Sequence, residues 1–84
     1  MSSHTIVEGP DEKKLKEWRE KKLEFKLEDE GEVVMDIQTL RPLSDGSYKI
    51  KGESYLNSMW LSFEGTYKPT AGSFLQKGLI TIYH

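Results

Sequence analysis

Hydrophobic and polar residues alternate along most of this 84-residue chain. Leu23, Phe25 and Leu27 alternate with Glu24, Lys26 and Glu28, the period of two that marks a half-buried strand. Asp29-Glu30-Gly31 supplies a turn, with Gly31 at the left-handed position. Val33, Met35 and Ile37 then alternate with Val34, Asp36 and Gln38, to about Leu40. Residues 41–46 break the pattern, and Asp45-Gly46 is a hairpin signal. Tyr48 and Ile50 alternate with Lys49 and Lys51 in a third strand that ends near Tyr55. After an Asn57-Ser58 turn, Met59, Leu61, Phe63 and Tyr67 share one face of a fourth strand, and Trp60, Ser62, Glu64 and Thr66 the other. Residues 68–73 read as a loop, and 79–83 as a β-branched fifth strand.

The period before Leu23 is different. Gly9-Pro10-Asp11-Glu12 reads as a helix start, with Gly9 as N-cap and Pro10 at the first helical position. Residues 10–22 are rich in helix formers, and Glu12–Lys16 and Glu17–Lys21 are favourably ordered i,i+4 pairs. The apolar face of this helix is thin: Leu15 and Trp18, continued by Leu23. Residues 1–8 read as a flexible N-terminal tail ahead of one domain, 9–84. The expected class is α+β: an N-terminal helix followed by a five-stranded antiparallel meander, strongly curved or closed into a small barrel. Gly52, Gly65 and Gly78 fall in or beside strands, where glycine marks bends.

Composition narrows the chemistry. Leu, Ile, Val and Phe supply 20 residues, enough for a folded core. There is no cysteine, which excludes disulfides, thiolate metal sites and cysteine nucleophiles. The longest apolar runs are three residues, too short for a membrane helix, and the N-terminus lacks a secretory pattern. The expected location is the cytoplasm, or the host cytoplasm for a viral chain. A net charge of −2 argues against a dedicated polyanion binder.

Motifs for catalysis are missing. His4 and His84 lie near the chain ends, where a base is poorly held, and both read as solvated imidazoles. No serine sits in a Gly-x-Ser-x-Gly elbow, and no phosphate-cradling glycine motif occurs. Asp36 is set among apolar residues, but alternation turns it outward. The acidic cluster Glu28, Asp29, Glu30 and Glu32 lacks the ligand spacing of a calcium loop. No catalytic residue, metal or cofactor is expected.

Binding residues are easier to nominate. With Met59, Leu61 and Phe63 turned inward, Trp60 faces out, and alternation turns Tyr55, Lys49 and Lys51 the same way. Trp and Tyr are favoured interface anchors. Trp18, on a helix too polar for its own core, is a third anchor, and the acidic 28–32 hairpin is an electrostatic guide. The competing arrangement lays the helix over this face, with Trp18 near Trp60. The reading is a small, soluble, non-enzymatic protein-interaction domain: an accessory subunit, adaptor or inhibitor docking on a larger protein assembly. A single-stranded nucleic-acid-binding barrel is the second reading. A small-ligand carrier, its cavity lined by Phe25, Met35, Leu61, Phe63 and Tyr67, is the third. Strand 79–83 offers an edge for a partner or for a homodimer.

Overall fold

In a computed structural model that describes residues 1–69 and 78–84, the alternating segments become the staves of a closed barrel. Among the described residues the strands are β1 (Ser2–Glu8), β2 (Leu23–Leu27), β3 (Gly31–Pro42), β4 (Tyr48–Leu56), β5 (Met59–Tyr67) and β6 (Gly78–Ile82). They are joined antiparallel in chain order, and β1 pairs with β6 to close the ring. A single short helix, α1 (Glu12–Lys16), lies between β1 and β2. The part of the predicted 68–73 loop from 70 onward lies outside the described residues.

The α+β expectation is therefore corrected to an almost wholly β fold. Two segments account for the difference. Residues 2–8 are a strand rather than a flexible tail. Ser2 to Ile6 pair with β6 from Ile82 to Gly78, and Ile6 and Glu8 pair with Leu27 and Lys26 of β2. The inward positions of β1 are Ser2, His4 and Ile6, so only one of the three is hydrophobic and the alternation is hidden.

The helix is also shorter than predicted. Asp11, not Gly9, is its N-cap, and the Asp11 side chain accepts from the Lys14 N–H at 2.8 Å. Both i,i+4 ion pairs form, at 3.2 Å for Glu12–Lys16 and 3.5 Å for Glu17–Lys21, but they are solvent-exposed. Such pairs are worth only a few tenths of a kcal/mol, roughly, and helices persist chiefly through tertiary packing. Leu15 is the one fully buried residue of α1. With so little to bury, the chain leaves the helix after one turn and swings into β2.

The core takes hydrophobic side chains from every strand. Phe25, Met35, Ile50, Phe63, Tyr67, Ile80 and Ile82 are among its most buried members, and Leu15 seals it. Side chains already fill an eight-stranded barrel, so six strands leave a narrower interior. Phe25 and Tyr67 meet edge to face, centroids 5.0 Å apart. Phe25, Met35, Phe63 and Tyr67, expected to line a ligand cavity, are packed into this core, with Leu61 at its margin.

Close approach of neighbouring strands demands glycine at inward positions, Gly52 and Gly65 among them. A Cβ on Gly52 would strike the Asp36 carbonyl, and one on Gly65 the Leu79 carbonyl. Gly52 stands opposite Ile37, where the β3–β4 register shifts. The β1–β2 connection crosses the barrel end where β4 starts and β5 finishes. There the Tyr67 hydroxyl donates to the Pro10 carbonyl at 2.7 Å, and the Tyr48 hydroxyl to Glu12 at 3.0 Å.

Closure also removes the edge that the sequence offered. β6 pairs with β5 on one side and β1 on the other, so strand addition at 79–83 has no free backbone to use. No described helix is long and apolar enough to cross a membrane.

Candidate functional site

The outer wall of the barrel carries the aromatic residues that the alternation turned outward. β4 presents Lys49, Lys51, Glu53 and Tyr55, and β5 presents Trp60, Ser62, Glu64 and Thr66. Register sets Tyr55 directly opposite Trp60, and Val34 of β3 on the other side of Tyr55. The Tyr55 and Trp60 rings lie 5.2 Å apart at a 54° tilt. Tyr55 is 44% exposed and Trp60 42%, so the helix does not cover them. The Lys22 ammonium stands 5.5 Å from the Trp60 ring centroid, in cation–π range. Val34, Tyr55 and Trp60 thus form a contiguous apolar pad with one cation against it.

Carboxylates surround this pad. Glu24 pairs with Val34 across β2 and β3. Glu32 and Asp36 flank Val34 along β3, and Glu53 precedes Tyr55 on the same face of β4. Asp36 and Glu53 stand directly opposite each other. Like charges in that relation are unfavourable. Asp36 faces outward, as alternation predicts.

Lys49 and Lys51 are on the same wall but are not brought to the aromatic pair. The Asp36–Glu53 row separates them from it. Lys49 faces Arg41, and Lys51 reaches Glu64 at 3.9 Å. Trp18 is also elsewhere: it packs against the core with Arg19 over its ring at 5.0 Å, and so serves the fold. The 28–32 segment is the β2–β3 turn and the start of β3. Glu28, Asp29 and Glu30 are exposed, and Glu32 pairs with Lys26.

One of the two histidines departs from expectation. His4 is not solvated: it is 6% exposed on the inner face of β1. Its Nδ1 lies 3.0 Å from both carboxylate oxygens of Asp29, and its Nε2 lies 2.8 Å from Ser2 Oγ. His84 is exposed, but its Nε2 also reaches Ser2 Oγ, at 3.1 Å. The bond from His4 holds the Asp29 carboxyl below its ordinary range. Among the described residues, donor atoms of His4, Asp29 and Glu30 gather within 4.8 Å of one another.

Sequence reasoning missed Val34 and Lys22 as neighbours of the aromatic pair, because cross-strand register was needed to place them. It missed the Ser2–His4 pairing by leaving residues 1–8 out of the sheet. The signal was there: Ser2, His4 and Ile6 fall on one face once the segment is extended. No protein-family model matches the chain, and comparison with curated proteins and with solved structures also finds no match. The functional reading rests on the geometry.

Proposed function

We propose that this chain is a protein-interaction module, an accessory subunit, adaptor or inhibitor, that docks through the Val34–Tyr55–Trp60 pad. The observation that carries this is the adjacent aromatic pair, each ring more than two-fifths exposed on a barrel wall. A large exposed aromatic has a solvation cost that burial against a partner relieves, and such residues dominate interface energies. The occupant that fits is a protein presenting an apolar side chain bordered by Lys or Arg. Glu24, Glu32, Asp36 and Glu53 frame the pad with negative charge, and a basic rim on the partner would relieve the Asp36–Glu53 repulsion. The same frame disfavours a nucleic acid. Bases stacked on Tyr55 and Trp60 would draw their phosphates past two opposed carboxylates before reaching Lys51 or Lys49.

The test is a pull-down with the purified chain from nuclease-treated extract of its source, run beside Trp60→Ala and Glu53→Lys. The expected result is one stoichiometric protein, its affinity lowered at least about tenfold by Trp60→Ala, the weight of an interface hot spot. Glu53→Lys should also weaken it, and added salt should then matter less. Capture unchanged by both variants overturns the reading. Retention seen only without nuclease transfers the pad to the nucleic-acid reading.

A further inference from the structure

The first residues of β1 have no β2 neighbour, since β2 ends at Leu27, opposite Ile6. The turn after β2 fills this gap. The Glu28 N–H donates to the Thr5 carbonyl at 2.8 Å, and Asp29 next to it is brought under His4. Strand alternation places Ser2 and His4 on the same face, two residues apart. Three side chains from two distant parts of the chain therefore line up as hydroxyl, imidazole and carboxylate.

The hydrogen bonds define a direction. A carboxylate can only accept, so the His4 Nδ1 at 3.0 Å from Asp29 carries the proton. The tautomer with its proton on Nδ1 leaves Nε2 as an acceptor, with the Ser2 hydroxyl 2.8 Å away and in place to donate to it. Ser2 Oγ also lies 3.1 Å from His84 Nε2. Ser2 Oγ is thus placed to lose its proton to His4 Nε2. Nucleophile, base and orienting group stand in the relation that activates serine on unrelated folds, which is recognised by geometry and roles, not by sequence position.

We propose that Ser2 is an activated nucleophile that accepts an acyl group from an activated ester, with His4 as its general base and Asp29 as the positioning residue. In the step, Ser2 Oγ bonds to the ester carbonyl carbon and its proton passes to His4 Nε2. The bond from that carbon to the leaving oxygen breaks, and the leaving oxygen takes the proton from His4, so that an alcohol departs. Water then attacks the acyl-Ser2 by the same proton route and releases a carboxylic acid. No redox partner or metal enters. The site lies apart from the aromatic pad and stands independently of the docking proposal; it departs from the expectation of a chain without catalytic residues.

The test uses the untagged full chain with a fluorophosphonate probe, the adduct being located by peptide mass spectrometry, and p-nitrophenyl acetate as the ester. Ser3, one residue away on the outer face, is the internal control hydroxyl. The expected adduct forms on Ser2 and not on Ser3, and is lost in Ser2→Ala. Asp29→Asn should slow labelling by at least about tenfold at an unchanged fold, with recovery in Asp29→Glu, in line with what a general base contributes. His4 is buried, and His4→Gln is informative only where circular dichroism shows the native barrel. The Asp29 series decides the matter in any case, since Asp29 is exposed. Absence of an adduct on Ser2 overturns the proposal. So does labelling of Ser2 at an undiminished rate in Asp29→Asn, which would leave His4–Asp29 as a structural tie.

Discussion

The hydroxyl of Tyr67 donates to the carbonyl of Pro10 at 2.7 Å, joining residues 57 positions apart across the closed end of the barrel. Burial raises the pKa of this phenol, so it remains a protonated donor throughout the working pH range. Tyr67→Phe keeps the ring against Phe25 and removes only the bond, leaving a buried carbonyl without its partner. The expected loss is about 1–3 kcal/mol of stability with an unchanged denaturant slope, read by urea unfolding.

Removal of residues 1–8 should be far more damaging than loss of a tail. It would free the edges of both β2 and β6 and delete Ile6 from the core. An open, unprotected sheet of this length is also an aggregation risk. The expected outcome is loss of the cooperative thermal transition. A truncated chain that unfolds at the native temperature would show that β1 contributes nothing to closure.

The turn between β4 and β5 offers a gain in stability. Asn57 and Ser58 both have positive φ, at 52° and 65°, the geometry of a two-residue hairpin with primed twist. Asn tolerates this region; Ser does so at a cost. Ser58→Gly should raise stability by about 0.5–1 kcal/mol, because glycine enters the left-handed region freely. A higher midpoint in urea checks it, and a lower one would mean the serine side chain is used elsewhere.

Acid should destabilise the barrel through three identified carboxylates. The Tyr48 hydroxyl, and after it Lys16, holds Glu12 below its ordinary pKa. The Ser47 hydroxyl and N–H do the same for Asp45, and His4 does so for Asp29. A carboxyl with a lower pKa folded than unfolded binds fewer protons in the native state. Its contribution is present above the unfolded pKa and disappears as pH falls through the folded one. The urea midpoint should therefore fall as pH is lowered from about 5 toward 3. Glu12→Gln with Asp45→Asn should flatten that fall; an unaltered acid slope in the double variant would remove these groups as its cause.

Much of the barrel wall could be read along the chain. From Leu23 to Ile37 and from Tyr48 to Ser54 the alternation matches the buried face, and it correctly turned Tyr55, Trp60, Lys49, Lys51 and Asp36 outward; it failed at Met59, read as inward but 55% exposed where β5 begins at the hairpin turn. The physical reason is that a strand with one buried face records that face in its own sequence. The same logic failed for β1, whose inward positions include a serine and a histidine satisfied by partners that no local pattern reveals.

Local sequence therefore determined the hairpins, the turns and the direction each wall side chain faces. The tertiary structure alone decided closure, because β1 meets β6 only when the two ends of the chain come together. It also cut the helix to one turn, by leaving little but Leu15 to bury, and it chose the neighbours of each exposed group. Lys49 and Lys51 share the wall with Trp60 yet stand behind a row of acids, while His4, which reads as solvated, is buried against Asp29 and Ser2. Contacts between distant residues depend on register around the ring, and alternation along a single strand carries no record of that register.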